Sequence, residues 1–304
     1  MEFKQIEAFV NVIKYKSFSK AADASFLTQP TISTHISTLE KELGVTLIDR
    51  MGKESRPTKQ GRAFYKYALD LINTREKAVL AMGEVRGSIS GVIELQASSV
   101  PGQYMLPALM SGFKEQYPGA RFYLEQSDSE QVWNNVLDGK GELGFTGEYK
   151  NNSLGYEFLC RDTSVLITPK TEKFLELYKK SQYISIEDFC NENFIWREEG
   201  SATRNTIEEK IYKLKGSKLN IAATMNSLEA IKQCVSNGLG VSILSGLGTV
   251  TEQNVDYLTF KLSDFHLDRE FYLVYNRGIT MSPLASKFKE FTLEYFAGRS
   301  GESC

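Results

Sequence analysis

Apolar residues recur at helical spacing through the first third of the chain and then give way to short apolar runs alternating with helical ones. Phe3, Ile6, Phe9, Val10 and Ile13 share one face of a first helix. A short helix of small residues, Ala21-Ala22-Asp23-Ala24, follows and lets a neighbour cross it closely. In the next helix Ile32, Ile36, Leu39 and Leu43 form one buried stripe, while Thr31, Thr34, Ser37, Thr38 and Lys41 occupy the other side. Thr28 is placed to cap that helix, Pro30 sits in its first turn, and Gly44 ends it. A helix anchored on one face and covered with short hydrogen-bonding groups on the other suits a DNA major groove. The spacing alone fits an ordinary amphipathic surface helix equally well. Val45 to Ile48 reads as a strand and Met51 to Arg56 as a wing tip, with Lys53 and Arg56 available to phosphates.

From Thr58 a long helix runs to about Arg86 without an internal proline. Phe64, Ala68, Leu71, Arg75, Ala78, Met82 and Val85 fall at alternating steps of four and three, which is a coiled-coil seam interrupted by Arg75. Packing against the parent domain produces the same stripe, but a helix this long carries more apolar surface than a small domain covers. Dimerisation is the preferred reading, and it supplies two recognition helices for a two-fold site.

Gly87-Ser88-Ile89-Ser90-Gly91 reads as a hinge, after which strands and helices alternate. Strands are expected at 92–97, 121–126, 142–146, 165–168, 194–196, 219–222, 241–244 and 271–275, and helices near 106–117 and 130–137, from Thr203 and Ser227, and over 283–296. This is an α/β pattern, expected to build a largely parallel sheet. Ligands in such sheets bind beyond the carboxyl ends of strands, where helix N-termini offer free N–H groups. Ser98 and Ser99, Thr146 and Gly147, and the run Gly200-Ser201-Ala202-Thr203-Arg204 occupy such places. Hydroxyls, amides and an arginine there make an anion cradle, although a Ser or Thr at a helix start is equally a plain cap.

Composition narrows the class. Apolar residues make up 41% of 304, enough for ordinary cores, and no run approaches a membrane span. The opening Met1-Glu2-Phe3-Lys4 leads into a helix rather than a signal peptide, which points to the cytoplasm. Four scattered cysteines without CxxC spacing and only two histidines argue against a zinc site and give no disulfide framework. Residues 1–90 hold 14 Lys and Arg against 10 Asp and Glu, leaving 22 against 28 for the rest, so a mildly basic head sits on an acidic body. No nucleophile elbow, Walker loop, HExxH or GxGxxG is present, so no catalytic residue, metal or cofactor is assigned.

The string from Ser17 to Arg50 resembles the winged helix-turn-helix of the LysR-type transcriptional regulators. The resemblance rests on Phe9, Ser17-Phe18-Ser19, Ala21-Ala22, Gln29-Pro30-Thr31-Ile32-Ser33, Ile36, Leu39-Glu40, Leu43-Gly44, Leu47 and Asp49-Arg50, and continues through Thr58 and Gly61. Chain length and the order of later segments agree, so it covers essentially the whole chain. It implies a winged helix-turn-helix over residues 1–57, a dimerising linker helix over 58–87 and a two-lobed effector-binding domain over 88–304, similar to a periplasmic solute-binding protein. The lobes would be about 91–162 with 267–304, and about 163–266.

The implied function is transcriptional regulation through an interrupted palindromic operator in double-stranded DNA, by a homodimer or homotetramer and with RNA polymerase as a further partner. Gln29, Pro30, Thr31, Ser33, Thr34 and His35 would lie near base edges, with Thr38 beside them and Lys53 on the backbone. A small anionic or highly polar effector would touch Ser98, Ser99, Thr146, Gly147, Ser201 and Thr203, with Asn226 from a facing helix start. Two features depart from the family pattern. Thr34 is frequently arginine there and Ser37 and Thr38 are often basic, and Leu143 to Glu148 replaces a commoner Asp-rich strand end. Within the family the chain most resembles members linked to sulfur or selenium metabolism. A solute-transport module is the competing class, disfavoured by ninety residues of helix-turn-helix and coiled coil; an architectural DNA-binding protein with a degenerate sensor is a third.

Overall fold

The computed structural model describes residues 1–49, 54–84, 90–150, 153–199, 201–215, 219–250, 256–264 and 268–298. Lys53, Val85, the expected hinge at 87–89, Gly200 and His266 lie outside them, as does the side chain of Thr203. The chain divides into two compact units, Met1–Gly91 with Asn276–Lys287, and Val92–Tyr275 with the residues from Phe288 onward.

The first unit opens with α1 (Phe3–Tyr15), α2 (Phe18–Ala24) and α3 (Gln29–Leu43). Their ends are set locally. Ser17 Oγ accepts from Lys20 N, Thr28 Oγ1 accepts from Thr31 N, and Gly44 closes α3 in the left-handed region at φ +68°. Phe9, Val12, Ala21, Ala22, Ile32, Ile36 and Leu39 meet in one core. Phe3 and Leu43, expected inside, are instead 43% and 37% exposed, because each lies at the outer end of its helix. Phe3 has its ring under the Arg75 guanidinium, 5.3 Å from its centroid.

The wing is β1 (Ile48–Asp49) paired antiparallel with β2 (Arg56–Pro57), so the strand lies later than the expected 45–48. One carboxylate holds it to the recognition helix. Glu40 Oε1 accepts from Leu47 N at 2.7 Å and Ile48 N at 3.1 Å. Gly61 passes beneath, where a Cβ would lie 2.0 Å from the Leu47 carbonyl oxygen, so only glycine fits.

The long helix α4 (Lys59–Glu84) corrects the expected seam. Ala68 is wholly buried and Phe64 packs on Phe9 with centroids 5.4 Å apart, so both belong to the monomer's own core. Periodicity registers that a face is covered but not by what. Arg75, the break in the stripe, is an ion-pair partner of Glu7. Asn73 Nδ2 donates to the Thr280 carbonyl and Thr280 N donates to Asp70 Oδ1 at 2.9 Å, tying 276–287 into this unit. Leu71, Ala78 and Met82 are left exposed, with Tyr67 and Val79 beside them.

The second unit runs β3 (Ser90–Ser98), a π-helical turn (Pro101–Met105), α5 (Leu106–Gln116), β4 (Gly119–Ser127), α6 (Ser129–Leu137), β5 (Leu143–Thr146) and β6 (Leu154–Pro169). It continues with α7 (Glu172–Lys180), β7 (Tyr183–Ile184), α8 (Ile186–Phe189), β8 (Asn193–Arg197), α9 (Ala202–Lys215), β9 (Asn220–Met225) and α10 (Leu228–Ser236). β10 (Ser242–Ser245), α11 (Leu247–Val250), β11 (Tyr257–Leu262), β12 (Asp268–Asn276) and α12 (Pro283–Ala297) complete the described chain.

The main sheet has the order β4-β3-β5-β12-β6-β11-β7, with β10 also on β6. It is mixed, not largely parallel as expected. β3 and β5, and β7 and β11, pair parallel, whereas β12 runs antiparallel to β5, and β10 and β11 antiparallel to β6; β8 and β9 form a separate two-stranded parallel sheet. The cause is β6, a 16-residue strand along which later strands return. Two cores result. Phe113, Phe122, Phe145 and Phe288 stack edge to face around one end of the sheet. Phe174, Phe189, Phe194, Trp196, Ile243 and Phe260 fill the other. The fold is thus a helix-turn-helix head followed by a two-lobed α/β domain.

No helix among the described residues is long and apolar enough to cross a membrane, and no group of three metal-capable side chains occurs among them. Cys160 is disulfide-bonded, although the spacing of the cysteines gave no disulfide framework; Cys190 and Cys234 are thiols.

The Glu40 contact gives a stability test. Glu40→Ala strips the acceptor from two backbone N–H groups at the wing and should cost about 1.5–3 kcal/mol, the range for a hydrogen bond to a charged group. Urea unfolding should show the midpoint falling, with Glu40→Gln recovering part of the loss. An unchanged midpoint in Glu40→Ala would show that water replaces the carboxylate without cost.

Candidate functional site

Two surfaces carry the residues singled out from the sequence. The first is the face of α3 away from the core. Ile32, Ile36 and Leu39 point inward with essentially no exposure, so Pro30, Thr34, Ser37 and Lys41 point outward at intervals of four, three and four. Gln29, Pro30, Thr34 and Thr38 are exposed; Thr31, Ser33 and His35 are half-buried along the flanks. The hydroxyls are partly engaged already. Thr34 Oγ1 donates to the Pro30 carbonyl at 3.0 Å, and Thr31 Oγ1 lies 2.8 Å from Thr28 Oγ1. With its proton committed, Thr34 presents lone pairs outward, as an acceptor for an amino group. Arg56 on the wing is exposed and lies 3.6 Å from Glu54. In the turn before α3, Phe26 is 96% exposed at φ +53°, an apolar side chain that no pattern in the sequence marks.

The second surface is a small cavity at the carboxyl ends of the strands. Ser98 and Ser99 stand at the end of β3, Gly147 follows β5, Ser201 precedes α9, and all four line it. Asp128 and Ser129 enter from the start of α6, where Asp128 Oδ1 caps Gln131 N at 2.8 Å. Arg197 and Glu198 enter from the end of β8, Arg269 and Phe271 from β12. The open volume is about 20 Å³, room for one water molecule.

Its charges are tightly arranged. Arg197 is 5% exposed and directs a side-on fork at Glu198, Nε to Oε2 and Nη2 to Oε1, each at 2.8 Å. Arg197 Nη2 also donates to Ser99 Oγ at 3.1 Å, and the Arg197 carbonyl accepts from Arg204 Nη1 at 3.2 Å. Arg269 Nε donates to Asp162 Oδ2 at 3.1 Å while its guanidinium lies over the Phe271 ring at 4.6 Å. Burial pushes Arg269 below the usual guanidinium range; Asp162 opposes this by charge and hydrogen bond, and the like charge of Arg197 adds to the lowering. Asp162 is further satisfied by Ser245 Oγ at 2.6 Å and Leu247 N at 3.1 Å.

The strand-end reading therefore brings Ser98, Ser99, Gly147 and Ser201 together, and leaves Thr146, Asn226 and Arg204 apart. Thr146 is wholly buried behind the cavity wall, opposite Tyr272 on β12, and its Oγ1 has no hydrogen-bond partner. Asn226 is exposed beyond the end of β9 and is not part of the lining. Arg204 supports the Arg197 backbone instead of facing the cavity. Sequence reasoning missed Ser129, Arg197, Glu198 and Arg269. The Asp128-Ser129 helix start obeys the same rule as Ser201 and was available to it; nothing local marks Arg269 as buried.

Both parts of the chain match known families. Residues 3–62 match the family described as "Bacterial regulatory helix-turn-helix protein, lysR family", and residues 86–297 match the "LysR substrate binding domain". The chain is 29% identical to the HTH-type transcriptional activator CmpR of Synechocystis over 94% of its length and 93% of CmpR's. A full-length OxyR variant from Pseudomonas aeruginosa superposes with a TM-score of 0.72 at 18% identity, covering 97% of each chain. The Synechocystis CcmR regulatory domain in complex with 2-PG superposes with a TM-score of 0.62 at 24% identity, over 68% of this chain and 98% of that domain. With family matches spanning the head and the C-terminal domain, this chain belongs to the LysR family of DNA-binding transcriptional regulators, which are not enzymes.

Proposed function

We propose that the chain regulates transcription by reading an interrupted palindrome through paired α3 helices, and that a small anion in the strand-end cavity controls it. One observation carries the effector half of this reading: a buried arginine, Arg197, aimed with Ser98, Ser99, Ser129 and Ser201 into a common cavity. A buried guanidinium requires a negative partner, a place that Glu198 fills here, and hydroxyls supply hydrogen bonds to an acceptor-rich ligand without adding charge. CcmR, whose regulatory domain was solved with 2-PG, supports a cavity of this type. The working division is a head over 1–57, a linker helix over 58–87, and lobes over 91–162 with 267–304 and over 163–266. The effector shifts the balance of DNA-bound states by binding one lobe arrangement better than another. Ser129→Ala should weaken binding of the effecting anion at least fivefold in titration calorimetry, while Asn226→Ala leaves it unchanged. The opposite ranking would move the site toward β9.

On the DNA side, Gln29 is the exposed first residue of α3 and carries an amide that can pair with a base edge through two hydrogen bonds. Gln29→Ala should lose about 1–3 kcal/mol of discrimination between an operator selected in vitro and random DNA. Binding to random DNA, governed by phosphates, should stay the same. Equal operator affinity in the variant would remove α3 from the readout.

Dimerisation falls to the exposed half of α4, where Leu71, Ala78 and Met82 remain after Phe64 and Ala68 are taken up by the monomer's core. The expected position Val85 continues that stripe in the sequence. Leu71→Asp with Met82→Asp places like charges in the seam and should separate the heads, lowering sedimentation mass or operator affinity. An unchanged oligomer that binds its operator normally would exclude this seam.

A further inference from the structure

The fork of Arg197 is already filled. Three of its N–H groups are directed at two partners, a bidentate pair on the Glu198 carboxylate and one bond to Ser99 Oγ. The two sides of that ion pair differ. The Arg197 side chain is 6% exposed and that of Glu198 22%. Among the described residues Arg197 is the one hydrogen-bond partner of the Glu198 side chain, while the Glu198 backbone is held separately, its N–H donating to the Met225 carbonyl at 3.1 Å, so the side chain can leave by rotation while the chain stays in place. Arg197 cannot follow, because Arg204 holds its carbonyl and Ser99 its guanidinium.

We propose that Glu198 is a resident stand-in for the effector: it occupies the Arg197 fork in the unliganded protein, and a small monoanion takes its place. This rests on the cavity being the effector site. The argument is one of exchange. A ligand carboxylate that replaces the Glu198 carboxylate preserves both charge-assisted hydrogen bonds and the neutrality of the buried cation. The displaced group, already part-exposed, rehydrates at the cavity mouth. A neutral ligand cannot make the exchange, since it would leave Arg197 buried without a counter-charge. A dianion is also disfavoured. Its second charge meets Asp128 and the displaced Glu198, while Arg269, the other cation of the lining, is held by Asp162. Size points the same way. The cavity of about 20 Å³ plus the vacated carboxylate position admits a head group of a few heavy atoms. Glu198 thereby sets both the affinity of the site and its preference for single charge.

The test uses the full chain, with acetate as monoanion and sulfate and malonate as dianions, at constant ionic strength, reading affinity from thermal-shift titrations. Glu198→Gln should bind acetate at least tenfold more tightly than wild type and should gain still more for sulfate and malonate. Glu198→Asp keeps the charge but is one methylene too short to span the fork. It should also tighten acetate, which a mere field effect of the carboxylate would not produce. Arg197→Gln should abolish binding in every background. Acetate bound equally by wild type, Glu198→Gln and Glu198→Asp, yet lost in Arg197→Gln, would overturn the exchange and leave the cavity as the site. Weaker binding in Glu198→Gln would make Glu198 a ligand contact and likewise overturn it. Binding of acetate indifferent to Arg197→Gln, or no binding of any of the three anions to any variant, would remove the cavity reading together with this one.

Discussion

Asp162 carries a negative charge into the interior of the longest strand, and the arrangement of the C-terminal domain follows from how that charge is met. Its two oxygens gather Ser245 from β10, the Leu247 amide at the start of α11 and Arg269 from β12. Each partner lies on a strand or turn returning along β6. Removing one member of such a buried pair typically costs about 3–5 kcal/mol, so the elements are held in register by a penalty for leaving as much as by a gain for staying. Arg269, fixed in this way through its Nε, presents its guanidinium over Phe271 as one wall of the cavity. Arg197 is thereby left as the cation whose partner can change.

The head is organised by the same device on a smaller scale. A single glutamate on α3 accepts from two amides at the root of the wing, while the hydrophobic stripe of that helix locks it to α1 and α2. Reading helix and wing therefore move as one body. The outward face contributes nothing to this stability and is free to carry whatever groups the operator requires.

Legibility in the sequence tracked how local the cause is. Thr28, Pro30 and Gly44 delimit α3 because caps and stops are decided within a few residues, and the structure places them where the pattern does. Strand direction was not legible: an apolar run such as Val165 to Thr168 looks the same whichever way its neighbours run, and the first half of β6, where Phe158 is exposed between buried Leu154 and Leu159 without regular alternation, gives no hint of a strand of 16 residues. The stripe on α4 was legible as a stripe, but Phe64 and Ala68 show that spacing is silent about whether the covering partner is the same chain or another. In the cavity, the serines at strand and helix ends follow from a general rule of α/β folds. Glu198, Arg197 and Arg269 do not, because the burial of a charge depends on elements distant in sequence.

The hydroxyl-covered face of α3 bears on how such a protein finds its target. Non-specific affinity for DNA comes almost wholly from cations facing phosphates. Here the outward positions offer one lysine, Lys41, beside Thr34, Ser37 and Thr38. With a single cation on the reading face, the attraction of this head for phosphates rests on cations outside α3, such as the exposed Arg56 of the wing. Sequence reading and charge attraction are thereby assigned to different elements of the same small domain.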